Sequence, residues 1–545
     1  MLHHLIDRTF VHRTQACAAT GLLLVVCALS VANTLGAERP NVLFIAVDDL
    51  RPELGCYGAS FIKSPNLDRL AARGTRFDRA YCQYAICGPT RASLLTGLRP
   101  DTLKIEEIDT FFRNTVPDVV TLPQLFKQHG YTTTYYGKVF HPGQTDDAIS
   151  WSPRPEGAPA RRAIGGEYQL PESRAIVQQR RAAAVKQFGD SVNLGGLATG
   201  PAWEAADAPD NAYIDGRTTD AAVAALRELK GKPFFLGVGF HKPHLPFVAP
   251  KRYFDLYDPA TLPLAANDRP PVGGPAIARH SSFEMRTRSG IPTSGSIDAA
   301  TSRRLIHAYA ACVSFVDAQI GRLLAELDAL GLRENTVIVV WGDHGWHLGE
   351  YGIWGKATNY EIATRVPLIV YAPQVAPRGH ATRALVEFVD VYPSLCELAG
   401  LPLPPRLAGR SFVPLLSQPE LPWKPAAFSQ FPSPALREWA ARPLSPEMRQ
   451  TFFGPLMTAV EEKLRQEHGA RYDQELFERH LMGYSMRTDR YRFTTWVDRR
   501  NPEGEPFAVE VYDHERDPRE SINIAAHPEN RALVAKLRAQ WLAAR

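Results

Sequence analysis

The run Asn41-Val42-Leu43-Phe44-Ile45-Ala46-Val47, closed by Asp48-Asp49, decides the fold class. An apolar stretch this short, rich in β-branched and aromatic side chains, fits a strand buried on both faces better than a helix. Two more runs share the form. Residues 233–240 (PFFLGVGF) end at His241-Lys242-Pro243-His244, and residues 336–341 (TVIVVW) end at Gly342-Asp343-His344. An open α/β sheet places its ligand crevice at the carboxyl ends of such strands, so the three polar clusters are expected to converge although they lie far apart in the chain. Between them, residues 302–330 place Leu305, Cys312, Phe315, Val316, Ile320, Leu323, Leu324 and Leu327 near a 3.6-residue period, with Gly331 as the stop. That stripe reads as core, and neither Cys312 nor Asp317 receives a function.

Residues 143–215 and 404–481 carry more proline, charge and short helical pieces, such as 173–188, and read as insertions on the sheet over the mouth of the crevice. After Met482 the pattern changes to alternating segments, 484–496 and 507–512, which predict an antiparallel C-terminal sheet. No internal repeat is present.

At 545 residues the chain exceeds one ordinary core, so a large domain with a smaller appendage is expected. Sixty-two basic against 58 acidic residues give a net charge of +4, too little to predict nucleic-acid binding. Arg8 and Arg13 precede an apolar run over 16–32 that ends near Ala37, the form of a cleavable export signal over residues 1–37 cut after Ala32 or Ala37. The run is short for a bilayer span, so no stable membrane association is expected, and Val26 before Cys27 is too large for a lipoprotein signal. The predicted location is periplasmic or extracellular, or lysosomal in a eukaryote. Loss of the leader removes Cys17 and Cys27. The remaining Cys56, Cys82, Cys87, Cys312 and Cys396 make no disulfide framework, though a Cys56–Cys82 bridge stays open.

Asp48 and Asp49 are neighbours that would face opposite sides of a strand, so both reach one ion only if the strand ends there, and Leu50-Arg51-Pro52 permits that turn. Adjacent carboxylates repel unless a cation joins them, which points to a hard divalent metal, with an exposed acidic turn as the equal alternative. Cys87 precedes residues 91–98, which have helical potential; a group at a helix N-terminus meets unpaired N–H donors that stabilise an anion. Arg91 follows one turn later, within reach of the same point. Gly137-Lys138 turns out of a strand predicted over 131–136. His244 belongs to a residue type that titrates near working pH. Trp346 is either a flat face for a sugar ring or core.

The run Cys87-Gly88-Pro89-Thr90-Arg91, followed by Thr96-Gly97, resembles the signature of the sulfatase family. Further resembling segments include Asp48 to Pro52, Gly55 to Gly58, Gly137 to Pro142, Gly239 to Phe247, Gly342 to Glu350, Met482 to Trp496, Tyr512-Asp513 and Asp517-Pro518. The resemblance implies an alkaline-phosphatase-like α/β fold: a large mixed sheet sandwiched by helices, with a catalytic domain over 38–425 and a smaller C-terminal subdomain over 426–545. It implies that Cys87 is oxidised to formylglycine by a formylglycine-generating enzyme. The metal would be Ca2+, held by Asp48, Asp49, Cys87, Asp343 and His344; the nitrogen ligand leaves Mg2+ or Mn2+ open. The resemblance also assigns Arg91 to the nucleophile or the metal-bound oxygens. Lys138 and Lys356 are assigned to sulfate, His141 to steadying the nucleophile, and His244 to protonating the leaving alcohol or contacting sulfate.

Within the family the chain is most similar to iduronate-2-sulfatases, which implies exo-action on a terminal 2-O-sulfated uronate of a glycosaminoglycan or other sulfated polysaccharide. Residues 157–206 and 404–481 do not follow that pattern. A phosphonate or phosphodiester hydrolase with the same nucleophile is the alternative enzyme. A protein that binds sulfated glycans without turnover is the alternative from another class, should Cys87 stay a thiol.

Overall fold

Seven strands, β1 (Asn41–Val47), β2 (Thr75–Phe77), β3 (Thr132–Gly137), β4 (Phe234–Phe240), β5 (Thr336–Gly342), β6 (Leu368–Tyr371) and β7 (His380–Thr382), form one mixed sheet in the order β7-β2-β6-β5-β1-β4-β3. The structure, a computed structural model, describes residues 39–162, 167–190, 192, 195–376, 379–438 and 441–544. The leader expected over 1–37 lies outside the described residues, and the compact unit considered below is Asn41–Arg545. No helix among the described residues is long and apolar enough to cross a membrane.

β1 runs parallel to both its neighbours, β4 and β5, and every residue in it is buried. Its alternation feeds two cores. Leu43, Ile45 and Val47 pack on one face against the helix Ala299–Ala329, while Val42, Phe44 and Ala46 pack on the other against Leu94, Leu95 and Phe388. Each large apolar side chain so buried contributes about 1.5–3 kcal/mol, and the one polar residue of the strand, Asn41 at its start, is satisfied by accepting the Phe234 N–H at 3.2 Å.

Four helices matter for the site: α1 (Cys87–Thr96), α2 (Pro171–Phe188), α3 (Ala299–Ala329) and α4 (Phe453–His468). α1 begins at Cys87 itself, earlier than the helical potential over 91–98 predicts. α3 lies where the apolar period predicts. It closes at Gly331, whose φ of +71° lets the N–H groups of Gly331 and Leu332 reach back to the carbonyls of Asp328 and Leu327. The Asp317 carboxylate on α3 accepts the N–H groups of Asn66 at 3.1 Å and Leu67 at 2.8 Å, capping the helix Pro65–Ala71. Cys312 is core, and Cys56 and Cys82 are both free thiols, so the bridge left open does not form.

The strands β8 (Ala426–Pro432), β9 (Leu481–Thr488), β10 (Tyr491–Asp498) and β11 (Ala508–Asp513) pair antiparallel as the predicted C-terminal sheet. Fully buried Arg492 on β10 joins Glu361 and Glu520, its Nε standing 2.5 Å from the latter. Asn359 donates to the Gly483 carbonyl at 3.2 Å. These contacts anchor residues 356–361 to the sheet.

Candidate active site

The register of the parallel strands builds the site. Val47 of β1 aligns with Phe240 of β4 and Gly342 of β5, so Asp48, His241 and Asp343 leave the sheet side by side. Gly137 aligns with Gly239, which brings Lys138 to the same edge. At Gly137 φ is +76° and a Cβ would lie 2.0 Å from the Gly239 carbonyl oxygen, so only glycine makes that turn. The strand does end before the two aspartates: Asp49 has φ of +59°, a left-handed conformation aspartate tolerates, and it rotates both carboxylates toward one point.

Around that point ligand atoms of Asp48, Cys87, Asp343 and His344 lie within 4.8 Å of one another, as do those of Asp48, Asp49, Cys87 and His244. The Cys87 thiol donates to Asp48 Oδ1 at 3.2 Å; His344 Nε2 is 3.4 Å and Lys356 Nζ 3.6 Å from its sulfur. Arg91 is wholly buried, with Nε 2.9 Å from Asp343 Oδ2 and Nη2 3.3 Å from Asp48 Oδ1. Its Nη1 donates to the carbonyls of Lys138 and, at 3.0 Å, Val139. Lys138 pairs with Asp48, and Lys356 with Asp49 at 2.8 Å. Asp343 Oδ1 accepts the N–H groups of Asp49 at 3.0 Å and His344 at 2.9 Å. A carbonyl can only accept, so the 3.1 Å contact from His344 Nδ1 to the Gly345 oxygen places the ring proton on Nδ1 and leaves the Nε2 lone pair facing the cluster.

Four carboxylates, those of Asp48, Asp49, Asp343 and Glu284, meet three cations here, Arg91, Lys138 and Lys356. Burial pushes Asp343 up to about 6, helped by the Asp48 charge, and pushes Asp49 up as well. Asp48 goes the other way: burial opposes its charge, but Lys138, His244 and Arg91 outweigh it and hold it well below the usual carboxylate range. Burial and then the Asp48 charge raise the Cys87 thiol, against Lys138 and Lys356, which favours the thiol over the thiolate. Burial likewise lowers His344 and His244, and takes His141 down to about 2, with Lys138 acting in the same direction.

The residues fit a divalent cation. Asp49 Oδ2 is buried with no partner, an arrangement costly enough that such groups are normally satisfied, and the surrounding donors are the oxygens and one neutral imidazole such an ion takes. A divalent charge would leave one positive charge in excess, the complement of a monoanionic ester.

Every residue expected at the site is in or beside it. His141 has its Nδ1 buried without a partner and feels the charges of Lys138 and Asp48. His244 donates from Nδ1 to the Leu245 carbonyl at 2.7 Å, which leaves Nε2 for chemistry. Trp346 is the exception. It is fully buried against Phe247 and lies under Lys356, whose Nζ is 5.4 Å from the ring, so it positions a lysine and offers no face to a sugar.

Two participants carry no sequence signal. Glu284, on the short helix Phe283–Arg286, lies 3.4 Å from His244 Nε2 and 3.8 Å from Lys356 Nζ. Tyr309 on α3 donates to the Asp49 carbonyl at 2.7 Å and accepts the Arg51 N–H at 3.1 Å, fixing the left-handed turn. A cavity of about 450 Å³ opens from the cluster, walled by Lys138, Tyr213, His241, His244, Glu284 and Phe315.

The profile of the family described as Sulfatase matches residues 40–401. Iduronate 2-sulfatase of Homo sapiens is 32% identical over 91% of this chain and 94% of its own length. A sulfatase of Formosa agariphila is 34% identical over 73% of this chain and 78% of its own. Among solved structures, the phosphonate monoester hydrolase SpPMH from Silicibacter pomeroyi superposes with a TM-score of 0.66 at 25% identity, covering 92% of this chain and 94% of that one.

Proposed function

Because the chain belongs to the sulfatase family, we propose that it removes the 2-O-sulfate from a terminal uronate of a sulfated glycan, with residue 87 as nucleophile. The observation that carries this is the setting of Cys87 Sγ, within 3.6 Å of an aspartate oxygen, an imidazole nitrogen and a lysine ammonium. The likeness to iduronate 2-sulfatase over nearly the whole of both chains supports the sugar.

Oxidised to formylglycine by a formylglycine-generating enzyme, residue 87 would supply the hydrated aldehyde hydroxyl that attacks sulfur. A divalent cation, taken as Ca2+, held by Asp48, Asp49, Asp343, His344 and residue 87, would supply positive charge that acidifies that hydroxyl and neutralises sulfate. The other roles fall to the chain itself. Arg91 spans Asp48 and Asp343 and holds the two carboxylates in register. Lys138, which lines the cavity, and Lys356, 3.6 Å from the sulfur of residue 87, take the sulfate oxygens, where negative charge grows as the ester bond breaks. His244 gives the proton on Nε2 to the leaving sugar oxygen, and Glu284 stabilises the charged ring beforehand. His141 stays neutral beside Lys138. The leader over 1–37 directs export, 38–425 acts as the catalytic domain, and 426–545 is a subdomain that supports it.

The solved phosphonate monoester hydrolase keeps the second reading alive, since its fold is shared. Comparing release of sulfate from a 2-O-sulfated uronate disaccharide with hydrolysis of an aryl phosphodiester separates the two. Faster turnover of the phosphodiester overturns the sulfatase assignment of the site. Intact-peptide mass of the Cys87 segment reports conversion as a loss of about 18 Da (H₂S out, O in).

A further inference from the structure

The cavity beside Cys87 does not end at Tyr213 and Phe315. A second cavity of about 280 Å³ shares Thr287 and Arg288 with it and continues along α2 to Phe453 of α4. Three guanidiniums line this extension: Arg180 from α2, and Arg286 and Arg288 from the segment after Glu284. None forms an ion pair with a described carboxylate. Arg286 donates to the carbonyls of Ser281, Pro292 and Gly295 at 2.7–3.0 Å. Arg180 donates to the Thr287 carbonyl and, at 3.1 Å, to Thr199 Oγ1. Arg288 reaches the Tyr168 phenol, and its Nε is buried with no partner.

Arginines gathered without acids are unfavourable unless an anion joins them: burial, and then the Arg288 charge, pulls Arg180 down. All three stay partly exposed toward the cavity, so the missing counter-charge can enter from solvent. The carbonyl bonds fix the forks of Arg180 and Arg286 in place, which prepays the ordering a flexible lysine would cost.

The geometry points to Arg180, Arg286 and Arg288 as a subsite for an anionic substituent on the sugar next to the one that loses sulfate. This rests on the reading of Cys87 as the sulfatase centre, and it makes the enzyme prefer a charged oligosaccharide over a single sugar. The substituent is a sulfate or a carboxylate, both of which match a guanidinium fork.

Two disaccharides test it, each with a 2-O-sulfated terminal uronate, one carrying N-sulfoglucosamine and the other N-acetylglucosamine as second sugar. Wild type is expected to prefer the N-sulfated compound through KM. Arg288→Gln should cut that preference about tenfold, the scale of one charge-assisted hydrogen bond, and Arg288→Lys should restore part of it. Arg180→Gln should act in the same direction. An unchanged preference in both glutamine variants overturns the subsite. If wild type hydrolyses neither disaccharide, the uronate reading fails, yet calorimetric titration of Cys87→Ala with the same pair still decides: binding of the N-sulfated compound that Arg288→Gln weakens supports the subsite, and equal or absent binding overturns it.

Discussion

Glu284 Oε1 stands 3.4 Å from Nε2 of His244, on the side of the ring away from its bond to Leu245. The carboxylate therefore favours the protonated imidazole that a leaving-group acid requires, against burial, which lowers His244. An acid must be protonated to act, so activity falls as pH rises through its pKa, and a lowered pKa moves that limb into the acid range. The kcat/KM profile on a sulfate ester is expected to decline already below neutrality. Glu284→Gln removes a carboxylate that works with Asp48 against burial, so the limb should move further toward acid and kcat at neutral pH should drop about ten- to a hundredfold. A limb that stays in place means Glu284 does not act through His244.

Cys87→Ala should abolish turnover by at least about a thousandfold while leaving the thermal transition within a few degrees, because a small buried side chain is lost from a site with no cavity-filling role. Differential scanning fluorimetry beside a sulfate-release assay reads both. Retained activity places the nucleophile elsewhere.

Chelation should inactivate the protein and destabilise it in a pH-dependent way. Without a cation Asp343 is raised from 3.8 to about 6 and Asp49 is also raised, so the folded state binds protons the unfolded chain has already lost. Stability of the chelated protein should therefore fall as pH increases from about 4 to about 6. A bound cation keeps both carboxylates ionised and removes that slope. The difference in Tm between loaded and chelated protein is expected to widen across this window, and equal slopes would count against a cation at these residues.

Arg492→Gln leaves Glu361 and Glu520 facing each other in the interior without their shared cation. Breaking a buried pair of this kind costs about 3–5 kcal/mol. Denaturant titration should show that loss, and because Glu361 ends the segment that bears Lys356, KM for sulfate esters should rise in whatever protein remains folded. Normal stability would show that Arg492 braces nothing.

Much of this site can be read before any coordinates exist, for a physical reason. Asp48, His244 and Asp343 follow apolar runs whose length and composition mark buried strands, and strand ends in a parallel sheet share one edge. Cys87 and Arg91 are legible through their spacing around a helix start and Lys138 through a tight turn, whereas Lys356 enters only through the resemblance of its segment to the sulfatase family. Glu284 is not, because its helix is a single turn with no period to detect, and that turn is held by distant partners, Phe283 against Phe453 at 4.9 Å between ring centres and Ser282 accepting the Trp354 N–H at 2.9 Å. Trp346 shows the opposite limit: its type fits either a sugar platform or a core, and only the burial of Lys356 above it separates them. The arginines of the extension lie in stretches where no motif guides the eye, since their meaning depends on which carboxylates are absent around them.

Cys87 is 3% exposed, sealed behind Asp48, Arg91 and His344, and the segment holding Lys356 is tied down by Arg492 and Glu520 near the chain's far end. Residue 87 is thus synthesised early and enclosed late. On the proposed conversion of Cys87, a modifying partner would have to reach the thiol before the fold closes over it, and a molecule folded first would keep its thiol. The proportion of active molecules in a preparation would then record how that race was run in the cell that made it, independent of the stability of the finished protein.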